Sequence, residues 1–451
     1  MTRIAGRPLR ASLAFAAAVC LGVALRLTEG HFVEGRETSL WLVVLATAVA
    51  LGAFFVPDRE SDVPATILWL PTFATLLASL CLVVFSAGIY LTRPLEREIF
   101  PLFLAGGLAV IGAHRLRRLD RRTVLVIAGA LAGASVIAGI AVLVLSPAPL
   151  IDVWSMQQAA AEALLHGQNP YAMQLPDIVT GTKVDYYPYA PLPMVLTIPG
   201  WLLAGDVRAS LLAAGLGTIL LAGALASPDA TAGFGKRAAI ILVAWLAVRP
   251  TGTFQLEQAW NEPFAVALFA ASMLLWRNGR LDAAAAVFGL AIACKQYLFV
   301  VGPMLVLFPH ARFRHLVIAG AVTVATFVPF AIVDAKDLIE DTILVHVRWA
   351  PRYDALTINS WLHARFGLAP IGALSAGLPL AAFAAIGFRG LTAQRRIGRA
   401  MIGIAAVLLA AFIVAKQAHA NYYDLAEALL VLGAIAELTD APVLALAGVS
   451  I

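Results

Sequence analysis

Charged side chains are scarce in this chain. Only 13% of its 451 residues are Asp, Glu, Lys or Arg, whereas 61% are apolar. Soluble globular domains are nearer a quarter charged and half apolar, so this composition excludes an ordinary water-soluble enzyme. The apolar residues fall in long blocks, several of them near the roughly 20 residues that a bilayer requires. Because the basic residues cluster between these blocks, the net charge of +5 indicates membrane topology rather than nucleic-acid binding.

Cysteine is almost absent as well. Cys20, Cys81 and Cys294 each lie inside an apolar block and share no close spacing, which argues against a disulfide framework or a thiolate metal site. No set of His, Cys, Asp and Glu has the spacing of a metal motif, and no glycine-rich phosphate loop follows a strand. The sequence thus predicts no metal site and no bound cofactor, and it leaves open whether a divalent metal assists.

The apolar blocks predict an all-α polytopic membrane protein with about 14 transmembrane helices. The predicted spans are 11–27, 39–56, 65–91, 99–113, 123–146, 207–227, 237–249, 262–276, 282–295, 297–309, 316–333, 368–388, 400–415 and 424–448. Arg3, Arg7 and Arg10 precede the first block, as basic residues do in a signal peptide. We predict an uncleaved first span instead, because many further apolar blocks already anchor the chain.

The positions of the arginines predict which ends of the spans face the cytoplasm. Five of them lie between the fourth and fifth spans, at Arg115, Arg117, Arg118, Arg121 and Arg122. The positive-inside rule puts this cluster in the cytoplasm, and with strict alternation the later basic clusters also fall inside. This holds only if 191–204, a short apolar segment with three prolines, does not cross. We therefore predict that segment to be a juxtamembrane or re-entrant helix on the outer face.

Four loops are then predicted on the outer face, at 147–206, 250–261, 334–367 and 416–423. The inner loops are short and basic, with little room for a nucleotide-binding domain. We therefore predict a multi-pass protein of the plasma (inner) membrane with its active site on the extracytoplasmic side. The loop 334–367 has the pattern of an interfacial amphipathic helix, which would cover the cavity and bring Arg348 or Arg352 to a phosphate.

The loop after the fifth span holds the most informative segment. Apolar residues recur there at helical spacing, at Val153, Met156, Ala160 and Leu164. This spacing predicts an amphipathic helix along the membrane surface. Asp152 starts that helix directly after a transmembrane segment, and two interpretations stay open. It is either a helix N-cap, a position that Asp favours, or a catalytic carboxylate at the membrane boundary.

A segment rich in tyrosine and proline follows at 184–193. Tyrosine is a common anchor at a membrane interface, and tyrosine rings and hydroxyls also form stacking surfaces for sugars. The segment alone leaves both interpretations open.

Several short motifs follow one another in a characteristic order. They are Asp152 after a span, Leu164-Leu-His-Gly-Gln-Asn-Pro-Tyr171, Tyr187-Pro-Tyr-Ala-Pro-Leu192, Gly205-Asp-Val-Arg208, and the segments 254–263, 290–297 and 415–423. In this order and spacing the chain resembles glycosyltransferase family 87 over roughly residues 125–448. Family members usually place the acidic loop after their first helix, whereas four additional spans precede it here. We therefore predict additional N-terminal transmembrane helices in 1–122 and a GT-C-like catalytic core in 123–451.

The resemblance implies a GT-C fold and the transfer of a sugar from a polyprenyl phosphate to an acceptor hydroxyl of a glycolipid or glycan. Mannose is the sugar it favours, with arabinofuranose, glucose and galactose left open. It also implies Asp152 as the general base of an inverting displacement. Phosphate is already a good leaving group, so no general acid is needed, in contrast to inverting glycosidases.

Two groups of side chains are candidates for binding the substrates. An ionised group in a span costs about 2.5–3.5 kcal/mol on insertion scales, so it usually has a partner or a function, although a lysine at a helix end also snorkels to the interface. The candidates for the donor phosphate are Lys295, Lys416, Arg249 and His419, the last also for contact with Asp152. The candidates for the sugar or acceptor are Glu257, Trp260, Tyr171 and Tyr187.

Two other classes of function stay open. A secondary transporter or flippase for a lipid-linked or small polar substrate would have internal symmetry and polar residues in broken helices near the midplane, and Lys295 fits that pattern. A non-catalytic lipid-binding or scaffold protein would use Asp152 only as a cap. Only the transferase predicts product formation that depends on Asp152.

Overall fold

The protein is mostly α-helical. The computed structural model describes seven stretches of the chain, 7–57, 88–93, 95–116, 119–179, 181–227, 234–249 and 252–439. The α-helices are α1 Arg7–Thr28, α2 Thr38–Phe55, α3 Glu96–Arg115, α4 Arg121–Leu145, α5 Asp152–Leu165, α6 Pro191–Ala204, α7 Arg208–Ala226, α8 Phe234–Val248, α9 Gly252–Glu257, α10 Glu262–Arg277, α11 Leu281–Ala293, α12 Phe313–Ile339, α13 Val345–Arg348, α14 Ile358–Phe366, α15 Gly372–Thr392, α16 Ile397–Phe412 and α17 Ala420–Thr439. The predominance of α-helix agrees with the predicted all-α fold class.

A few other elements join these helices. They are the 3₁₀-helices Pro170–Ala172 and Gln296–Leu307, the π-helix Glu340–Leu344, and the strands β1 Leu175–Asp177 and β2 Thr182–Val184. The two strands pair antiparallel between α5 and α6, within the large loop predicted at 147–206. The segment predicted as a juxtamembrane helix on the outer face is the helix α6.

Six helical segments of the described chain are long and apolar enough to cross a membrane. They are α1, α2, α4, α7, the continuous segment Phe313–Arg348 and α15. Shorter apolar helices accompany them, namely α6, α11, Gln296–Leu307 and α16. Helices of this length and apolar composition are typical of a membrane protein. The number of 14 spans and the GT-C fold stay predictions. The predicted span 65–91 lies almost wholly outside the described residues, as does the end of the span 424–448.

The centre of the structure is the pair α16 and α17, in which nearly every residue is buried. α17 packs against α1, α8, α10 and α16. Arg10 of α1 forms an ion pair of 2.5 Å with Glu437 of α17, and both side chains are fully buried. α1 belongs to the predicted N-terminal addition, which therefore packs directly on the predicted catalytic core. The boundary at residue 122 stays a prediction.

Loops that are predicted on the same side of the membrane contact one another. Arg10 donates a hydrogen bond to the carbonyl of Val56 over 2.8 Å, and both lie at predicted cytoplasmic ends. On the predicted outer side, the amide of Phe32 in the α1–α2 loop donates to the carbonyl of Asp354 over 2.8 Å. The contacts agree with the predicted alternation, and the sidedness itself stays a prediction.

The helix α12 bends where its predicted span ends. Asp334 has non-helical backbone angles, φ −155° and ψ 92°, and its carboxylate accepts a hydrogen bond of 3.0 Å from the amide of Asp337. A short acidic side chain that binds a nearby amide is how helices are capped at their N-terminus. The spanning helix therefore breaks at Asp334, and the carboxylate of Asp334 caps the helical turn with which the predicted interfacial segment 334–367 begins.

The turn after α1 brings Gly30 against the first residue of α17. Its φ is 76°, and a Cβ on it would lie 2.4 Å from the backbone nitrogen of Ala420. Gly35, in the same loop, has a φ of 80° but nothing within 4 Å of such a Cβ. A left-handed conformation costs an alanine about 1–2 kcal/mol, which both Gly→Ala variants incur.

We expect Gly30→Ala to lower the free energy of unfolding by about 1–3 kcal/mol more than Gly35→Ala, because only the first forces two packed segments apart. Thermal unfolding of the two variants in detergent, side by side, measures the difference. Equal losses in the two variants would contradict the close approach of the α1–α2 loop to α17.

Candidate functional site

Asp152 is the first residue of α5 and lies seven residues after the end of α4. The N-cap of α5 is Ile151, and no side chain caps the helix. The carboxylate of Asp152 accepts a hydrogen bond of 2.8 Å from the amide of Val153. The interpretation of Asp152 as the N-cap is therefore wrong, although one of its carboxylate oxygens binds a first-turn amide of the helix.

The surroundings of Asp152 are aromatic and only weakly charged. Burial raises the pKa of its carboxyl above the ordinary 3.8, and the nearby Asp177 raises it further, while Val153 and Arg352 lower it. Burial raises the pKa of Tyr189, and the nearby charge of Asp152 raises it further. Among the described residues Asp152 forms no ion pair. A carboxylate that is desolvated and unpaired has the properties of a general base.

Tyr171 and Tyr187 lie beside this site but are buried, with 3% and 0% of their surface exposed. Their ring centres are 5.5 Å apart in an edge-on contact, and the hydroxyl of Tyr171 donates to the carbonyl of Tyr189 over 2.8 Å. The amide of Tyr187 donates to the carboxylate of Asp341 over 2.8 Å. Both rings hold the loop together, and neither presents a face on which a sugar could stack.

Lys295 lies at the break between α11 and the 3₁₀-helix Gln296–Leu307. Its ammonium forms an ion pair of 3.0 Å with Glu262, and the two side chains are 9% and 0% exposed. The same carboxylate oxygen accepts from Asn421 over 2.9 Å and from the hydroxyl of Tyr297 over 3.2 Å. The ammonium also lies 5.4 Å from the ring centre of Tyr189, which joins this pair to the neighbourhood of Asp152. The charge of Lys295 is therefore already compensated.

Arg249 is paired in a similar way at the end of α8. Its guanidinium lies 3.1 Å from the carboxylate of Asp424 and donates to Gln255 over 3.3 Å. Arg249 also lines an open, mainly apolar cleft between α3, α4, α7, α8 and α10, together with residues such as Leu102 and Ile219. Arg249 is the one charged residue among the described residues that line this cleft.

Glu257 and Trp260 are used within the protein. The two carboxylate oxygens of Glu257, which is 1% exposed, accept the amides of Ile89 and Tyr90 at 2.8 Å each. The ring of Trp260 packs edge-on against Phe254 at 5.3 Å. The structure thus gives the carboxylate of Glu257 a positioning role instead of an open sugar-binding one, and it packs Trp260 on a neighbouring ring.

Lys416 and His419 lie in the loop between α16 and α17. The ammonium of Lys416 donates to the carbonyls of Val347 and Trp349 over 3.0 and 2.7 Å, so it ties this loop to α13. The Nδ1 atom of His419 is buried and has no hydrogen-bond partner in the described part of the protein. Burial lowers the pKa of His419 to about 4, so its imidazole is neutral at pH 7.

The structure adds three residues that sequence reasoning left aside or named only in passing. His31 and Asp354 lie beside His419, with the rings of the two histidines 5.3 Å apart. Arg352 donates to both oxygens of Asp354 over 2.8 and 2.7 Å, and these bonds hold the pKa of that carboxyl at about 2. Because the charge of Arg352 also acts on Asp152, it links the two groups. No sequence spacing could identify residues so far apart along the chain.

Comparison with known proteins gives no match. No family model matches the chain, and no curated protein and no solved structure does so either. The resemblance to glycosyltransferase family 87 stays a prediction that rests on the motifs themselves.

Proposed function

We propose that this protein is a membrane glycosyltransferase. It moves a sugar, with mannose the first to test, from a polyprenyl phosphate to an acceptor hydroxyl at the extracytoplasmic face. Asp152 removes the proton from the acceptor hydroxyl as that oxygen attacks the anomeric carbon, and the lipid phosphate leaves as an anion. The configuration of the sugar inverts in this single displacement.

One observation carries the proposal, namely the state of the Asp152 carboxylate. It lies just beyond a helix long enough to span a membrane, it caps no helix, and burial raises its pKa. Two other buried carboxylates are in ion pairs, Glu262 with Lys295 and Glu437 with Arg10. A base near a membrane boundary can meet both a lipid-linked donor and a polar acceptor.

We assign the isoprenoid tail of the donor to the cleft that Arg249 lines. Its lining is mainly apolar, as an isoprenoid tail requires. Arg249 and Lys295 are each paired with a fully buried carboxylate, whereas Arg352 is paired with the partly exposed Asp354, so Arg352 is the most accessible of the three for the donor phosphate. Its side chain is 56% exposed, and a guanidinium suits bidentate binding of phosphate.

The direct test is an assay of the purified protein in detergent. Polyprenyl-phosphate-mannose with a radiolabelled sugar is incubated with glycolipid acceptors, and the products are separated by chromatography. We expect a labelled glycolipid of inverted configuration. Topology mapping supplies a second test, because residue 152 must be on the opposite side of the membrane from 115–122. Residues on one side, or intact donor after long incubation with every acceptor, would overturn the proposal.

The pH dependence of the reaction tests the role of Asp152. The base acts only when it is deprotonated, and burial raises its pKa above 3.8. We therefore expect kcat/KM to fall as the pH falls through an apparent pKa above that value, as such profiles report the free enzyme's essential groups. The residual activity of Asp152→Asn should lack this acidic limb. The same limb in both proteins would assign it to another group.

Transport of a lipid-linked or small polar substrate is a second candidate function, favoured by one observation. The buried pair of Lys295 and Glu262 lies where α11 gives way to a 3₁₀-helix, and broken helices with polar residues are typical of transporter sites. Proteoliposomes distinguish the two candidates. A transporter moves the labelled donor across the bilayer without changing it, whereas a transferase converts it only when an acceptor is present.

A further inference from the structure

Two imidazoles and one carboxylate meet where three separate loops come together. One ring nitrogen of His31, one ring nitrogen of His419 and one carboxylate oxygen of Asp354 all lie within 4.8 Å of one another. The two ring centres are 5.3 Å apart, and the rings are inclined by 50°. Imidazoles on one tetrahedral Zn²⁺, with Zn–N bonds of about 2.0–2.1 Å, have ring centres about 5 Å apart. The rings therefore have the spacing of two ligands of a single ion.

The backbone fixes the three loops before any ion binds. His31 and Ala355 form an isolated antiparallel bridge. The amide of Leu356 donates to the carbonyl of Ala418 over 3.0 Å, which fixes the Asp354 loop against the His419 loop. Gly30 packs directly on Ala420, so the residues next to both histidines are in contact. A site held in this way needs only small side-chain movements, and its ligands do not have to be gathered from mobile loops.

The ligand atoms are in a suitable chemical state. The buried Nδ1 of His419 has no partner in the described part of the protein, which is costly unless something binds there. Each oxygen of Asp354 accepts one bond from Arg352 and keeps a lone pair for a metal. An outer partner that orients a ligand carboxylate is a usual feature of metal sites.

We propose that His31, Asp354 and His419 bind one Zn²⁺ ion. Two imidazoles and one carboxylate form a ligand set that zinc prefers, and three protein ligands leave a fourth position for water. The side chain of Asp354 is 44% exposed, so solvent reaches this ligand. The site joins the α1–α2 loop to the α13–α14 loop, which carries Asp354, and to the α16–α17 loop, which carries His419. It does not depend on the proposed transferase activity, since no substrate takes part in it.

The metal content of the full-length protein tests this inference. The chain is purified in detergent with an affinity tag free of histidine, dialysed without chelator, and analysed by mass spectrometry of its metals. We expect about one zinc ion per chain, removable by a chelator and restored by titration with Zn²⁺. His31→Gln, His419→Gln and Asp354→Asn should each weaken zinc binding by at least 10–100-fold, the loss seen even for outer partners of a metal.

His166→Gln is the matched control, because its exposed ring bonds only to the carbonyl of Glu162 in its own helix. It should bind zinc as the unchanged protein does. Should the site variants fail to fold, Co²⁺ is added to the unchanged protein, where a four-coordinate site gives intense visible absorption bands. Absence of stoichiometric zinc and of these bands would overturn the proposal, as would full zinc affinity in folded His419→Gln.

Discussion

Asp152→Asn should lower the turnover of the purified transferase by about 10²–10⁴-fold, the range that general-base assistance contributes. The amide has the size of the carboxylate and keeps an oxygen that can accept the hydrogen bond from the amide of Val153. Only the capacity to take a proton is lost. Because the loss arises at the chemical step, kcat should fall while KM for the lipid donor stays nearly unchanged.

Asp185→Asn is the matched control for this prediction. Asp185 lies in the same large loop but is exposed, so its neutralisation should leave kcat within about twofold. Thermal unfolding of both variants should match that of the unchanged protein, since surface substitutions stay within about 0.5 kcal/mol and Asp152 forms no ion pair among the described residues. Full activity of Asp152→Asn would rule out the catalytic role.

Lys295→Met should be strongly destabilising, with a loss of about 3–5 kcal/mol in the free energy of unfolding. Removing one partner of a buried ion pair leaves the other as an uncompensated buried charge. The remaining charge is that of Glu262, whose side chain is fully buried and whose neighbours are neutral polar groups on Tyr297 and Asn421. The midpoint of thermal unfolding in detergent measures this loss.

The double variant Lys295→Met with Glu262→Gln should recover most of the stability, because it removes both charges and keeps the shape of the carboxylate. Lys183→Met is the matched control, since Lys183 is exposed in β2, and it should change little. A stable Lys295→Met with a large rise in KM for the donor would instead return Lys295 to the role of phosphate ligand that its sequence position predicts.

The site was predictable from the sequence only in part. Asp152 was recognisable because it follows a long apolar block and precedes an amphipathic pattern, and both features are local. The partners of Lys295 and Arg249 were not recognisable, because Glu262 and Asp424 lie 33 and 175 positions away along the chain. The pattern indicates that a buried cation needs a partner or a function, and only the packing of the helices decides which of the two it has.

The sequence also did not show which of the aromatic candidates are buried. A run of tyrosines and prolines at 184–193 fits an interface and a sugar surface equally well, since both need rings with a polar end. Folding of the loop over α12 buries Tyr171 against Tyr187 and against Phe330. Burial depends on what covers a side chain, which composition does not record.

The sequence by itself determined that the chain is helical and belongs in a membrane, because a low charge content and long apolar blocks leave the backbone no other way to satisfy its hydrogen bonds in lipid. Its arginines predicted an alternation of loops, and the contacts of Arg10 with Val56 and of Phe32 with Asp354 agree with that prediction. Only the tertiary structure decided which polar groups meet. It paired Lys295 with Glu262, made Ile151 and not Asp152 the N-cap of α5, and brought His31 beside Asp354 and His419, which lie 323 and 388 positions away along the chain. The physical reason is that apolar periodicity acts over a few helical turns, whereas the position of a charge depends on contacts between distant segments.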